Sequence, residues 1–134
     1  EDIARDEQKR AETIHTFRNA LEQKEFQLYF QPKINGKSQQ ISSAEVLVRC
    51  KNDGSLWFPD SFLPILEETG EVEALDYYVY EAAFLWLSER MKKQQKIIPL
   101  SLNVSPIHFR KINTFIHKVS DLTDKYKILT VSDL

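Results

Sequence analysis

The chain is short of the features that mark several large protein classes. It has one cysteine, Cys50, in 134 residues, which excludes an internal disulfide framework and leads us to expect a reducing, cytoplasmic setting. No apolar run approaches the ~20 residues that span a bilayer, and the charged start EDIARDEQKR does not resemble a signal peptide. Neither sign of charge dominates: 18 Lys+Arg stand against 20 Asp+Glu, for a net charge of −2. That balance argues against broad electrostatic binding to nucleic acid, and no DNA partner is expected. There is no internal repeat and no low-complexity tract. What remains is a chain of single-domain length, 42% hydrophobic, rich enough in apolar residues to build a core.

Residues 1–25 are densely charged, with neither Gly nor Pro. Ile14, Phe17 and Leu21 fall on one helical stripe, whereas Glu7 and Arg10 occupy the positions that would extend it. The pattern predicts a helix that docks by its C-terminal end and projects at its N-terminal end, either a connection of the kind that joins a domain to an upstream signalling unit or an ordinary solvated first helix. Phe26, Leu28 and Phe30 then alternate with Gln27, Tyr29 and Gln31, predicting a strand whose regular pairing ends near Pro32. Asn35-Gly36 marks a turn, and a second strand is expected over roughly residues 40–50. Asn52 to Ser55 reads as a loop. Phe58-Pro59-Asp60 leads into a short helix with Asp60 as N-cap and Gly70 as the residue just past its end.

A longer helix is predicted over 72–94, burying Leu75, Val79, Ala82, Ala83, Trp86 and Leu87. Residues 97–104 read as a third strand, and Ser105-Pro106 as the cap and first turn of a last helix running to about Tyr126. Strand, crossover helix, strand, helix is an α/β pattern with parallel strands. Residues 127–134 look like the approach to a further strand.

Strand parity separates two kinds of surface. In the second strand Ser43, Glu45, Leu47 and Arg49 share one face, and Ala44, Val46, Val48 and Cys50 the other. In the third, Ile98, Leu100, Leu102 and Val104 oppose Ser101, Asn103 and Ser105. Parallel strands covered on both sides should be apolar on both; here polar residues gather toward the C-terminal ends, where α/β barrels hold ligands. Glu45 and Asn103 offer two hard oxygen donors, a start toward a Mg²⁺, Mn²⁺ or Ca²⁺ site; a merely solvated strand face is the alternative. His15, His108 and His117 show no metal-binding spacing and are assigned surface or packing roles. Cys50 is expected to be a buried thiol.

Leu28-Tyr-Phe-Gln-Pro32, Ala44-Glu-Val-Leu-Val-Arg49, Phe58-Pro-Asp-Ser-Phe62 with Glu67-Glu-Thr-Gly70, and Ser101-Leu-Asn-Val-Ser-Pro106 together resemble the successive N-terminal motifs of EAL domains. These are cyclic di-GMP phosphodiesterases with a modified TIM-type (β/α)8 barrel containing one antiparallel strand. The resemblance covers residues 26 to about 126. It implies a chain made of a connecting segment, 1–25, and the N-terminal half of an EAL-type domain, 26–134, cut before the later barrel strands.

The resemblance also implies roles. Glu45 and Asn103 would be metal ligands for Mg²⁺ or Mn²⁺ in a two-metal site. Gln31, Leu47, Arg49 and Pro59 would be substrate-binding residues, Arg49 near a phosphate. Cyclic di-GMP would be hydrolysed to linear pGpG, with an upstream signalling domain such as a GGDEF or sensor domain and self-association as further expectations.

Two departures qualify this. Val46 stands where the signature has alanine, although by parity it points away from the site. In the family, further acidic ligands and a lysine come from later strands, so the chain alone is expected to be catalytically incomplete. The alternative is a degenerate EAL domain that senses cyclic di-GMP or binds a protein partner without cleaving anything.

Overall fold

The aromatic residue that opens the first strand organises the core. Phe26 is buried and meets three rings from three separate elements: Phe17 at 5.6 Å, Phe62 at 6.4 Å and Tyr78 edge-on at 6.2 Å between centroids. In the computed structural model, which describes residues 2–52, 55–57 and 62–128, these elements follow in the order α1 (Asp2–Glu22), β1 (Phe26–Ile34), β2 (Ile41–Asn52), β3 (Ser55–Trp57), α2 (Leu63–Thr69), α3 (Val72–Lys92), β4 (Leu100–Ser101), α4 (Ile107–Arg110) and α5 (Ile112–Tyr126).

The described strands form one open sheet centred on β2. β1 runs antiparallel along one side of it, in a register that sets Phe26 opposite Cys50, Leu28 opposite Val48 and Phe30 opposite Val46. On the other side β3 pairs antiparallel with the C-terminal end of β2, and β4 pairs parallel with its N-terminal part, Ala44 to Leu100 and Glu45 to Ser101. An antiparallel first pair followed by a parallel crossover is the predicted arrangement.

The apolar parity face carries the core: Phe26, Val46 and Cys50 pack with Phe17 and Ala20 of α1, Leu66 of α2, and Val72, Leu75 and Val79 of α3. Val46 lies within this layer, away from the polar face. Burial raises the Cys50 thiol to about 11, with the nearby Glu25 charge adding to the effect. At the C-terminal end of α2, Gly70 takes φ +83°, the left-handed conformation predicted for it and one that other residues adopt only with strain.

Helix α1 docks as expected from its stripe. Phe17 and Ala20 are fully covered, and residues 3–9 are exposed. Two ion pairs hold it from outside, Arg10 to Glu68 at 2.6 Å and Arg18 to Glu71.

Several expectations are corrected. β1 continues through Pro32 to Ile34, with a register irregularity at Lys33/Ile34; among the described residues β1 pairs on one side only, so the missing N–H of proline breaks no ladder. Asn52 and Ser55 are paired rather than looped. Phe62, not Asp60, occupies the N-cap position of α2, while Asp60 and Pro59 lie outside the described residues, as do residues 129–134. Ala82, Trp86 and Leu87 are only half-buried. Trp86 stacks on Phe30 at 4.6 Å and carries the Arg90 guanidinium at 4.9 Å.

The third strand shrinks to two residues, and alternation fails beyond it: Val104 is exposed and Ser105 is buried. The last helix is two helices, broken at Lys111, whose φ of −131° and ψ of 45° are not helical. Helix α4 begins at Ile107 with Pro106, not Ser105, in the cap position.

Two outcomes test this core. Phe26→Ala is expected to lower the unfolding free energy by about 3–5 kcal/mol, as large-to-small aromatic changes in cores do, read by urea denaturation. The Cys50 thiol should resist alkylation at pH 8 in the native chain and react rapidly in denaturant. Because its folded pKa lies above the ordinary value of 9.0, its contribution to stability is complete below pH 9 and is lost as pH rises toward 11; replacing it with alanine should flatten that part of the stability profile.

Candidate functional site

Among the described residues the second face of the sheet is left open. Gln27, Tyr29 and Gln31 on β1 are exposed, and the register sets them opposite Arg49, Leu47 and Glu45 of β2. Residues directly opposite in an antiparallel pair point to the same side, so Gln31 and Glu45 form one row. Ser101 of β4 extends that row across Glu45. Asn103 follows two residues later, exposed, in the non-helical segment between β4 and α4.

Glu45, Leu47, Arg49 and Asn103 line a single cleft of about 190 Å³. Glu45 is exposed, whereas Leu47 and Arg49 are half-buried. One Arg49 guanidinium N–H donates to the Val48 carbonyl at 2.7 Å, which holds the side chain along its own strand. A larger cleft of about 550 Å³, between α2 and α4, shares no lining residue with this one.

Among the described residues, no group of three or more His, Cys, Asp or Glu gathers to hold a metal ion. Besides the carboxylate of Asp76, which also lines the cleft, the donors that lie together are the Glu45 carboxylate and the Asn103 amide, with the amide of Gln31 across the strand pair. All are hard oxygen donors of the kind that Mg²⁺ and Mn²⁺ select.

The wall of the cleft holds a group that the sequence did not reveal. Asp76 of α3 is buried, accepts a hydrogen bond from the Ser105 backbone N–H at 3.1 Å, and pairs with His108 Nε2 at 2.8 Å. His108, assigned to packing, is buried among rings: Tyr77 at 5.2 Å, Phe115 at 4.7 Å and Tyr80 at 6.1 Å. One turn along α3, the Tyr80 hydroxyl donates to the Asn103 backbone carbonyl at 2.7 Å. Burial, with the charge of Asp76 beside it, drives the Tyr80 pKa far above the ordinary phenol value, so the hydroxyl stays protonated as a donor. The sequence held one signal: Asp76 stands three residues before Val79 and seven before Ala83, on the helical stripe that carries predicted core residues, and a buried carboxylate needs partners.

Comparison with known proteins decides the family. Residues 14–134 match the model of the EAL domain. The chain belongs to the EAL family. The match begins inside α1 and takes in Phe17 and Ala20, so the docked end of that helix falls within the EAL match.

Among curated EAL relatives, "Probable cyclic di-GMP phosphodiesterase PdeD" of Escherichia coli K12 is 37% identical over 98 residues, 68% of this chain and 17% of PdeD. The oxygen sensor protein DosP of the same organism is 31% identical over 105 residues, 78% of this chain and 13% of DosP. The EAL domain of Xanthomonas citri FimX, solved in complex with c-diGMP, superposes with a TM-score of 0.79 at 24% identity, over 93% of this chain and 48% of that one. The PaMucR phosphodiesterase–c-di-GMP complex gives a TM-score of 0.78 at 22% identity, over 87% and 47%. The chain therefore spans about half of these solved EAL chains and under a fifth of the two curated relatives. The fold is that of the TIM-barrel-like EAL domain, with the described strands as an open part of its sheet.

The buried pair is open to a direct test. His108→Ala would leave Asp76 buried with its backbone partner alone and should cost about 3 kcal/mol of stability, measured by denaturant unfolding at constant pH.

Proposed function

We propose that this chain supplies the first half of an active site that hydrolyses cyclic di-GMP to linear pGpG, within a larger protein of cytoplasmic second-messenger signalling. The observation that carries the reading is the gathering of Glu45, Leu47, Arg49 and Asn103 along one cleft, with Gln31 paired across from Glu45. Complexes of the FimX EAL domain and PaMucR with c-di-GMP support cyclic di-GMP as the ligand.

Glu45 and Asn103 would hold Mg²⁺ or Mn²⁺, the carboxylate by direct coordination and the amide through its carbonyl oxygen. Bound there, the metal would supply Lewis-acid polarisation of the phosphate and a water acidic enough to act as hydroxide near neutral pH. Arg49 would hold a phosphate oxygen by charge-assisted hydrogen bonds, and its anchoring to Val48 keeps the guanidinium beside the cleft. Leu47 would offer the dinucleotide an apolar surface and Gln31 an amide, and Pro59, outside the described residues, would bind substrate as the resemblance to EAL domains implies.

Two oxygen-donor residues do not complete a two-metal shell, so turnover requires ligands beyond those described, and the chain alone would be inactive. An upstream GGDEF or sensor domain fits the docked α1, and MucR of Pseudomonas aeruginosa is named as a bifunctional diguanylate cyclase/phosphodiesterase. The open sheet also leads us to expect self-association of the isolated chain; a stable monomer of 15.7 kDa in light scattering would count against it.

The deciding experiment is cyclic di-GMP hydrolysis by the full-length parent with Mg²⁺ or Mn²⁺, followed by chromatography of pGpG, beside its Glu45→Ala variant. Turnover that falls by about 10²–10³-fold or more in the variant is expected, the scale on which loss of a charge-stabilising group acts. A parent that binds cyclic di-GMP without cleaving it would replace this reading with the sensor.

A further inference from the structure

Asn103 stands in a segment with no regular structure of its own. β4 ends at Ser101 and α4 starts at Ile107, so neither ladder nor helix fixes the backbone from which the side chain projects. A donor on such a segment would sample many positions and coordinate weakly, because each ordering event must be offset by the bond it makes.

Two side chains of α3, four residues apart and hence on one helix face, supply the missing restraint. The Tyr80 hydroxyl grips the carbonyl of Asn103 itself at 2.7 Å. The Asp76 carboxylate grips the N–H of Ser105, two residues on, at 3.1 Å. Asp76 is itself fixed by His108 at 2.8 Å, and His108 by the surrounding rings. The segment is thus clamped at both ends of residues 103–105 by groups that are buried and mutually packed. Tyr80, Asp76 and His108 belong to the helical layer that also carries the core, and Tyr80 and Asp76 turn their polar atoms to this segment.

We infer that Tyr80 and Asp76 are positioning residues that set the donor geometry of Asn103, and so the metal affinity of the site, without touching metal or substrate. The inference rests on the proposed role of Asn103 as a metal donor. Groups that orient metal ligands from behind contribute about 10–100-fold to affinity, and a preorganised donor binds more tightly because its ordering is already done.

The test is Mn²⁺ binding to the full-length parent, followed by the electron paramagnetic resonance of free Mn²⁺, with no substrate present. Tyr80→Phe removes one oxygen and keeps the ring packing; it should raise the Mn²⁺ Kd by about 10-fold or more. Asp76→Asn, which keeps the shape and weakens the acceptor, should act in the same direction. Asn103→Ala should raise the Kd as well, and adding Tyr80→Phe to it should produce no further change, since a residue that acts only through Asn103 has nothing left to position.

A lowered melting temperature with an unchanged Kd in Tyr80→Phe would overturn the inference, leaving Tyr80 a purely structural residue. So would an additional loss in the double variant, which would mean that Tyr80 acts elsewhere. If Asn103→Ala itself leaves the Kd unchanged, the donor role fails, and the positioning role falls with it.

Discussion

The antiparallel ladder between β1 and β2 is the constraint on which the rest of this structure depends. Side chains alternate with a period of two, so a slip of one residue would carry every apolar residue of the pair to the wrong side. The observed register avoids this at each rung. Phe26, Leu28 and Phe30 meet Cys50, Val48 and Val46 on the covered face, while Gln27, Tyr29 and Gln31 meet Arg49, Leu47 and Glu45 on the open one. The core and the candidate site are two sides of one pairing. Burial of Phe26 and Val46 specifies the register, and the register delivers Gln31 opposite Glu45.

That coupling explains why the open face was legible in the sequence. Alternation in Phe26–Gln31 and Ala44–Cys50 encodes faces directly, so the grouping of Glu45, Leu47 and Arg49 follows from parity alone. The α1 stripe was equally readable, because Phe17 in a charged segment has only one apolar surface to join. Gly70 announced the end of α2 by the conformation that only glycine adopts at low cost.

The segment after β4 was not legible, for a physical reason. Parity predicts direction only while a strand lasts, and β4 lasts two residues. Beyond Ser101 the backbone answers to side chains from a helix more than twenty residues away in sequence. Ser105 turns inward because Asp76 needs a donor, and Val104 turns outward as a result. Local pattern carries no trace of such a long-range demand. The same blindness concealed His108, whose spacing to other ligand types is uninformative and whose partner arrives by tertiary packing. The split between α4 and α5 at Lys111 likewise has no Gly or Pro to mark it.

The clamp on residues 103–105 has one further property. Tyr80 and Asp76 bind a backbone carbonyl and a backbone N–H, groups that every residue other than proline presents alike. The scaffold is therefore indifferent to the side chain it displays. A different residue at 103 would inherit the same aim with a different chemistry, and the display could be rewritten without rebuilding its support. Supports that hold main chain rather than side chain separate the aiming of a group from its identity, which lets one fold change what it offers at a fixed point in space.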